Sequence, residues 1–347
     1  MTFSKEKLDA IELHFILCTE RTGSSLLSLM LNLNSTILCP SEEPFALYFW
    51  NTYKNKTNWE EKDIINYVNS FFMLAEKNTD LYFSKKNIFI ENLLNHKSIL
   101  NFERIVKLTY LHFIDVKDKS SITHIVDKQI KYFFHIPELR KLFPNSKFVV
   151  LVRDVRDNIV SKQNRKLNGQ SNPLFLSYLW RDTYRNIKYL PTNYTLVKYE
   201  DFVSQPRVEL EKICTFLSVD FQEKMLETEG VFASFIAQKE KDVNPEFIKH
   251  LKDFHSGLDR KPSDSKIGQY EKMNSTEISE VNWICKTELS IFGYQQTEET
   301  KVPNLLKRFY YSFLAKCYRK WLLELYRNIP LSIKKLIKKM KIKSNKP

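Results

Sequence analysis

The residues best suited to chemistry form a short polar segment near the start of the chain: Arg21, Thr22, Gly23, Ser24 and Ser25. An apolar run of strand length, residues 15–18, precedes them, and leucines at helical spacing follow. A loop that joins a buried strand to a helix offers backbone N–H groups to an anion, and arginine and hydroxyl side chains add donors. The segment lacks the lysine of the G-x-x-x-x-G-K-[ST] motif, which disfavours an ordinary NTPase. A Ser/Thr-rich helix N-cap is the alternative interpretation.

A second polar segment follows another apolar run, residues 147–152, which has the composition of a strand buried on both faces. Arg153 comes directly after this run, and Ser161 and Arg165 lie four residues apart on the helix predicted to follow. Because ligands of open parallel sheets bind at the carboxyl ends of the strands, we expect both segments to lie at one edge. The pair predicts a site for a ligand with two separated phosphate groups.

Strand-like and helix-like segments alternate along the chain, at spacings too long for β-hairpins. This order predicts an α/β fold, a P-loop-like parallel β-sheet flanked by helices with right-handed crossovers. Further strands are predicted at residues 122–126, before Asp127 and Lys128, and at residues 194–199. Aromatic-rich helical periodicity over about residues 45–120 predicts a helical insertion that covers a substrate cleft, although each residue there suits core packing equally well.

Five segments in sequence order resemble those of sulfotransferases that use 3′-phosphoadenylyl sulfate (PAPS), and they span about residues 13–295. ERTGSSLLSLML resembles the 5′-phosphosulfate loop in the arginine form of carbohydrate and protein-tyrosine sulfotransferases, and KFVVLVRDVRDNIVS resembles the 3′-phosphate motif. Segments beginning DKQIKYFF, LVKYEDFV and SKIGQYEK resemble the other three. The resemblance implies sulfuryl transfer from PAPS to an acceptor hydroxyl of a sugar, a glycolipid or another metabolite.

The resemblance also implies roles for individual residues. Arg21 would stabilise charge on the departing phosphate and the sulfuryl oxygens, and Lys128 matches a family lysine near the transferred group, although a plain surface lysine is an equal alternative. Such a transfer is an in-line displacement in which positioning and charge neutralisation carry the rate. The residues expected to bind PAPS are Arg21, Thr22, Gly23, Ser24 and Ser25 at the 5′-phosphosulfate, Tyr199 near the adenosine, and Arg153, Ser161, Arg165, Ser265 and Lys266 at the 3′-phosphate.

An acceptor hydroxyl also needs a base. Cytosolic family members have a histidine just after the segment around the lysine that corresponds to Lys128. This chain has Gln129 and Ile130 there instead. The acidic turn at residues 42–44 resembles the position of the base in carbohydrate and tyrosine sulfotransferases. The position directly before Pro44 favours Glu43 as the base, whereas the number of residues that separate the turn from Arg21 favours Glu42. We prefer Glu43. An acidic helix N-terminus with proline at its first position explains one glutamate, and even both, without catalysis.

The net charge of +13 comes from the C-terminal region. Residues 301–347 contain 14 of the 54 Lys and Arg but one of the 41 Asp and Glu, so residues 1–300 contain 40 of each and are neutral. We expect a sulfotransferase domain over residues 1–300 and a basic amphipathic tail over residues 301–347. In the tail, Phe309, Phe313, Cys317 and Trp321 recur every four residues. After Pro330, one apolar stripe faces a set of lysines, a pattern typical of helices on anionic membrane surfaces: Ile333, Leu336, Ile337 and Met340 against Lys334, Lys335, Lys338, Lys339 and Lys341. A docking helix on the body or a dimer contact is the alternative, and no base-reading motif indicates a specific nucleic acid.

Composition limits which cellular compartment and which cofactors we expect for this protein. Five widely spaced cysteines suit buried thiols in a reducing compartment rather than disulfides or a zinc site, and no cluster with ligand spacing indicates a metal. There is no apolar run for a secretory signal or a membrane span, so the expected location is cytoplasmic, with a peripheral membrane contact as an option. Two alternative functions are a P-loop-like kinase and a catalytically inactive nucleotide-binding scaffold attached to membrane by its tail.

Overall fold

A parallel β-sheet of five strands forms the centre of the protein. The computed structural model describes residues 2–40, 42, 45–74, 85–112, 118–164, 172–239, 245–254, 257–296, 300–319, 329–330, 332–333 and 336. The strands are β1 Glu12–Leu17, β2 Ile37–Leu38, β3 His124–Gln129, β4 Phe148–Val152 and β5 Tyr194–Lys198, in the order β2-β3-β1-β4-β5 across the sheet. Every pairing is parallel, which confirms the predicted α/β fold.

Helices cover both faces of this sheet. In chain order they are α1 Lys5–Ala10, α2 Ser24–Asn32, α3 Phe45–Tyr48, α4 Trp50–Tyr53, α5 Glu61–Leu74, α6 Lys86–Asn95, α7 Phe102–Leu111, α8 Ile136–Leu142, α9 Val155–Asn164, α10 Pro173–Tyr184, α11 Tyr199–Ser204, α12 Pro206–Leu217, α13 Val231–Lys239, α14 Pro245–Phe254, α15 Ser275–Ile291 and α16 Leu305–Arg319. Successive strand residues point to opposite sides, so Phe15 and Leu17 face one core and Ile16 faces the other. Helices α2, α11 and α12 pack on the face of Ile16, and α8, α10 and α15 pack on the opposite face.

Helices α3 to α7 form the helical insertion predicted from the periodicity. Their aromatic side chains enter the larger core, where Trp59, Tyr67 and Phe71 are almost completely buried. The hydroxyl of Tyr67 lies 2.8 Å from the hydroxyl of Thr109, so this buried polar group has a partner. The insertion is therefore an integral part of the hydrophobic core.

Strand β3 differs from its prediction. It starts two residues later than expected and extends to residue 129, so Asp127 and Lys128 lie within the strand rather than after it. The hydroxyls of Tyr110 and Tyr132 both donate to the Asp127 carboxylate. A carboxylate can occupy a buried strand when such donors satisfy its oxygens. The helix predicted beyond this strand is split into a short 3₁₀ turn and α8.

Helix α16 packs on α10 through one face. The amide of Asn172 donates to the Tyr311 hydroxyl at 2.9 Å, Ala315 is completely buried, and the Tyr318 ring meets the edge of Phe175 at 5.8 Å. The opposite face exposes four large apolar side chains, by between 57% and 78%: Leu305, Leu306, Phe309 and Phe313. Within the described residues, no helix is long and apolar enough to cross a membrane.

The cysteines are free thiols. Cys18, Cys39, Cys214 and Cys285 are buried, as predicted, whereas Cys317 is exposed on α16. Burial raises the pKa of the Cys18 thiol to about 12, so this thiol stays protonated and behaves as a small apolar side chain.

Candidate active site

The loop between β1 and α2 has a backbone conformation that ordinary residues avoid. Arg21 has a φ of 65° and Gly23 a φ of 82°, both in the left-handed region. Such a conformation is uncommon for a residue with a Cβ, and it is typical of functional loops. Helix α2 begins at Ser24, and its N-cap residue Gly23 provides no side-chain hydrogen bond. The first turn of α2 therefore starts directly at this strained loop, as an anion-binding loop would.

Thr22 has a structural role within the loop. It is completely buried, and its hydroxyl donates to the carbonyl of Thr19 at 2.8 Å. A hydroxyl has a single proton, so this contact uses the one donor that Thr22 could offer to a ligand. Ser24 is buried at the first helical position, and Ser25 is half-buried beside it.

The aromatic ring of Tyr199 lies directly over this loop. A Cβ added to Gly23 would lie 2.7 Å from Cδ2 of the tyrosine, which is far inside van der Waals contact. The guanidinium of Arg153 stacks on the same ring, 4.3 Å from its centroid. Tyr199 follows β5 directly, so the sheet brings the ends of three strands together here.

Arg21, Ser161 and Arg153 form one hydrogen-bonded group. Arg21 Nε donates to Ser161 Oγ at 3.1 Å, and Arg153 Nη1 donates to the carbonyl of Arg21 at 3.2 Å. Arg153 Nη2 donates to the carbonyl of Lys266 at 2.6 Å. The third donor of Arg153, Nε, is buried and has no hydrogen-bond partner among the described residues. A buried charged donor without a partner is costly, so it indicates a place for an anion.

The segment after residue 260 closes onto α9 through its backbone. The backbone N–H groups of Gly268 and Tyr270 donate to the Asp157 carboxylate at 2.8 and 3.0 Å. The carbonyl of Lys266 contacts Arg153, while the side chains of Ser265 and Lys266 are exposed. The sequence analysis did not single out Asp157 as a residue that positions this segment.

Asn158 is a second positioning residue that the sequence analysis missed. Its side-chain amide donates to the carbonyl of Glu20 at 2.7 Å, which ties α9 to the strained loop. The only signal in the sequence was its place one turn after Arg153, within the segment KFVVLVRDVRDNIVS. Arg165, which was expected near Ser161, lies outside the described residues.

Lys128 and Glu42 form an ion pair at the carboxyl end of β3. Lys128 Nζ lies 2.7 Å from Glu42 Oε2, and the lysine is 5% exposed. Burial lowers the pKa of Lys128, but the adjacent Glu42 carboxylate outweighs burial and raises the pKa above its ordinary value. The lysine is therefore cationic at neutral pH. Glu43, the preferred base of the sequence analysis, lies outside the described residues.

The family of the chain follows from its match to known proteins. The model of the sulfotransferase family matches residues 14–223, which is more than half of the chain. This protein belongs to the sulfotransferase family. The match includes β1 from His14 onward, β2 to β5, and every contact described above except those of the segment after residue 260.

Two relatives and one solved structure illustrate the similarity. Candidate protein-tyrosine sulfotransferases of Caenorhabditis elegans and Caenorhabditis briggsae are each 24% identical over 123 residues, which cover 33% of this chain and 48% and 44% of theirs. The chain thus matches about half of the length of these relatives. The sulfotransferase domain of the Synechococcus PCC 7002 olefin synthase is 19% identical, with a TM-score of 0.52, covering 83% of this chain and 96% of that domain. That likeness supports the sulfotransferase fold.

A sulfotransferase needs a sulfuryl donor, and the residues present fit a donor with two anionic groups. Arg153 Nε is a buried donor without a partner in the described part of the chain. The first turn of α2 directly follows Gly23, whose lack of a Cβ lets the Tyr199 ring pack closely against the loop. The Tyr199 ring contacts both residues.

Three side chains of the types that bind metal ions lie together at the amino ends of β1 and β3 of this sulfotransferase. Glu12, His14 and His124 place one ligand atom each within 4.8 Å of one another, although the sequence spacing indicated no such cluster. The backbone N–H of Lys147 donates to His14 Nδ1 at 3.1 Å, so the neutral ring carries its proton on Nε2, 3.2 Å from a Glu12 oxygen. Burial lowers the pKa of His14 to about 3, which keeps the ring neutral. With Nδ1 accepting a hydrogen bond and Nε2 carrying the proton, this tautomer leaves no ring lone pair free for a metal ion.

Proposed function

We propose that this sulfotransferase moves a sulfuryl group from PAPS to an acceptor hydroxyl. The observation that carries the proposal is the 3.1 Å hydrogen bond from Arg21 to Ser161, which joins segments 140 residues apart. The first segment resembles the family's 5′-phosphosulfate loop, and the second resembles its 3′-phosphate motif. A ligand with both groups requires these segments to be adjacent, and Arg153 bonds to the carbonyl of Arg21 between them.

PAPS supplies the sulfuryl group, attached to its 5′-phosphate. In the proposal, Arg21 and the first turn of α2 hold that end, and Arg153 with Ser161 holds the 3′-phosphate. The Tyr199 ring, which contacts both Gly23 and Arg153, is proposed to pack on the adenosine. The remaining proposed binding residues are Thr22, Gly23, Ser24, Ser25, Arg165, Ser265 and Lys266.

The acidic turn provides the base in this proposal. A carboxylate oxygen of Glu42 or Glu43 takes the proton of the acceptor hydroxyl as the hydroxyl oxygen bonds to sulfur and the bond from sulfur to the phosphate oxygen breaks. The ion pair with Lys128 supports Glu42, because it holds that carboxylate at the carboxyl end of β3. The position before Pro44 supports Glu43. The cationic Lys128 then stabilises the charge that develops on the sulfuryl oxygens.

The acceptor is proposed to be a hydroxyl of a sugar, a glycolipid or another metabolite, covered by the helical insertion of residues 45–120. The two Caenorhabditis relatives are named as protein-tyrosine sulfotransferases, so a tyrosine hydroxyl should be tested as an acceptor as well. The buried free thiols support a reducing, cytoplasmic location.

Transfer of labelled sulfate from PAPS tests the proposal. Arg21→Ala is expected to lower turnover by about 10²–10³-fold, since it removes a charged donor from the reacting groups. Glu42→Gln and Glu43→Gln form a matched pair, and loss of about 10²–10⁴-fold in one of them identifies the base. Unchanged transfer by Arg21→Ala would contradict the assignment.

Two other functions give different results in the same assays. A P-loop-like kinase would transfer phosphate from ATP and bind adenosine 3′,5′-bisphosphate (PAP) no better than AMP. A catalytically inactive scaffold would bind PAP but transfer no sulfate to any acceptor. The missing lysine of the G-x-x-x-x-G-K-[ST] motif disfavours the kinase, and the Lys128–Glu42 pair favours the enzyme over the scaffold.

A contact with an anionic membrane surface is proposed for residues 301–347, next to a sulfotransferase domain of residues 1–300. The region has a large excess of basic residues, and α16 exposes Phe309 and Phe313 to solvent. Exposed aromatic residues beside cations suit the boundary between headgroups and hydrocarbon. The full chain is expected to co-sediment with anionic vesicles, and Phe309→Ser with Phe313→Ser to weaken the binding.

A further inference from the structure

A basic cavity of about 590 Å³ lies between α10 and the last turn of α16, outside the proposed PAPS site. Five cations and one carboxylate line it: Arg181, Arg185, Lys188, Lys316, Arg319 and Asp182. We call it the arginine cavity. No residue proposed to bind PAPS lines this cavity, and residues 1–300 as a whole carry no net charge, so its charge is a local feature.

Two carboxylates hold the guanidinium groups of the arginine cavity in place. Asp182 accepts from Arg181 at 2.9 Å and from Arg319 at 2.9 Å, and Arg185 Nε lies 2.7 Å from the buried Glu288. Three arginines therefore share two negative charges. Lys188 and Lys316 are exposed and form no ion pair with any described residue. The cavity thus has a net positive charge, with its arginines held by carboxylates and its two lysines unpaired among the described residues, as suits a phosphate site.

The exposed apolar face of α16 adjoins this cavity. Phe313 and Lys316 lie three residues apart, so they occupy successive turns on one side of the helix. Leu305 and Phe309 extend the same side toward the helix start, and both are more than 70% exposed. The opposite side of α16 is held on α10 by Ala315 and its neighbours, so the apolar face cannot turn inward without losing that packing.

We propose that the arginine cavity binds the phosphate of an anionic phospholipid while the apolar face of α16 enters the adjacent hydrocarbon. A bilayer presents phosphates directly beside acyl chains, which matches a cationic cavity beside exposed leucines and phenylalanines. An acidic polypeptide would satisfy the cavity but leave this apolar face in water. The inference rests on the proposed membrane contact and adds a specific headgroup site to it.

Vesicle binding by the full chain tests this proposal. Phosphatidylcholine vesicles carry either phosphatidic acid or, at equal surface charge, oleate, which has no phosphate. The wild-type chain is expected to bind the phosphatidic acid vesicles about ten-fold more tightly. Lys188→Glu with Lys316→Glu is expected to remove that preference and weaken binding by at least about twenty-five-fold, at roughly five-fold for each cation lost near the surface. These lysines form no ion pairs with described residues, so folding should be preserved.

A double variant of equal charge change provides the control. Lys5→Glu with Lys224→Glu alters two exposed lysines that line neither the cavity nor α16. Retention of the phosphate preference in this control, with its loss in the cavity variant, supports the headgroup site. Equal losses in both variants overturn it and leave only nonspecific attraction to the membrane.

Competition experiments separate the lipid from other anions. Displacement of the protein from vesicles by millimolar inorganic phosphate or by polyglutamate would overturn the lipid assignment in favour of a soluble phosphate or an acidic polypeptide. Wild-type protein that binds no anionic vesicle at all would refute the membrane contact itself. That failure differs from binding that persists without any phosphate preference, which refutes the cavity alone.

Discussion

Gly23→Ala should destabilise the protein in a way that depends on Tyr199. The methyl group would lie 2.7 Å from Cδ2 and 3.0 Å from Cε2 of the tyrosine ring, whereas carbon atoms pack at about 3.5–4.0 Å. The ring has to move by at least about 0.8 Å, and the Arg153 guanidinium stacked 4.3 Å from its centroid resists that movement. Overpacking of this kind costs about 1–3 kcal/mol, and the positive φ adds about 1 kcal/mol for alanine.

A matched control separates these two costs. Gly230 also has a positive φ, of 71°, but an added Cβ there meets no atom within 4 Å. Gly230→Ala should therefore cost about 1 kcal/mol, against about 2–4 kcal/mol for Gly23→Ala. In a Tyr199→Ala background the contact is absent, and Gly23→Ala should cost no more than Gly230→Ala. The coupling between residues 23 and 199 is then about 1–3 kcal/mol.

Urea unfolding of the four variants of this cycle measures the coupling, provided that the transitions are two-state. Equal costs for Gly23→Ala in both backgrounds would refute the close contact between the loop and Tyr199. So would equal costs for the two glycine substitutions in the wild-type background. PAP should also bind Gly23→Ala more weakly, since the methyl group displaces the Tyr199 ring that is proposed to pack on the adenosine.

Three further predictions concern single residues. Burial raises the pKa of Asp127 to about 6 in the folded protein, against about 3.9 in the unfolded chain. The contribution of Asp127 to the free energy of unfolding should therefore fall by about 3 kcal/mol as the pH rises from about 4 to about 6. Asp127→Asn should remove that slope, and parallel urea midpoints of wild type and variant from pH 4 to pH 7 would contradict it. Lys128→Met should lower kcat about 10²-fold, because it removes a buried cation at the end of β3, whereas Lys141→Met on the exposed side of α8 should not. Arg153→Lys should weaken PAP binding by roughly 10–100-fold, because one ammonium group cannot reach both carbonyls and an anion. Titration calorimetry measures this affinity, and an unchanged value would show that Arg153 does not contact the nucleotide.

The main features of the fold could be predicted because they depend on local patterns. The continuous apolar run of Phe148–Val152 can be buried on both faces only in a covered parallel sheet, and it is completely enclosed. Parallel strands end at one edge, so the arginines after β1 and β4 had to lie close together. The 3.1 Å contact between Arg21 and Ser161 is a consequence of that topology.

The features that could not be predicted depend on partners distant in sequence. Asp127 lies inside a strand because Tyr110, from the helical insertion, donates to it, and no local pattern reveals that contact. The backbone of Lys266, rather than its ammonium, contacts Arg153, because the segment closes through carbonyl and amide groups. The strained φ of Arg21 likewise depends on the contacts around it rather than on its residue type.

The distribution of charge around the site suits the proposed selection of a highly anionic nucleotide by residues 1–300, which carry no net charge. Cations near the strained loop are paired with carboxylates, as in Lys162 with Glu20 at 3.3 Å, Arg156 with Asp154 at 2.5 Å, and Lys128 with Glu42. Arg153 differs, because it donates to two neutral carbonyls and has no carboxylate within 4.0 Å among the described residues. An anion that reaches Arg153 therefore gains a buried, undivided positive charge without competing with an internal carboxylate. Selection by such fixed geometry needs no long-range positive field, so the surplus charge of residues 301–347 is available for a different partner.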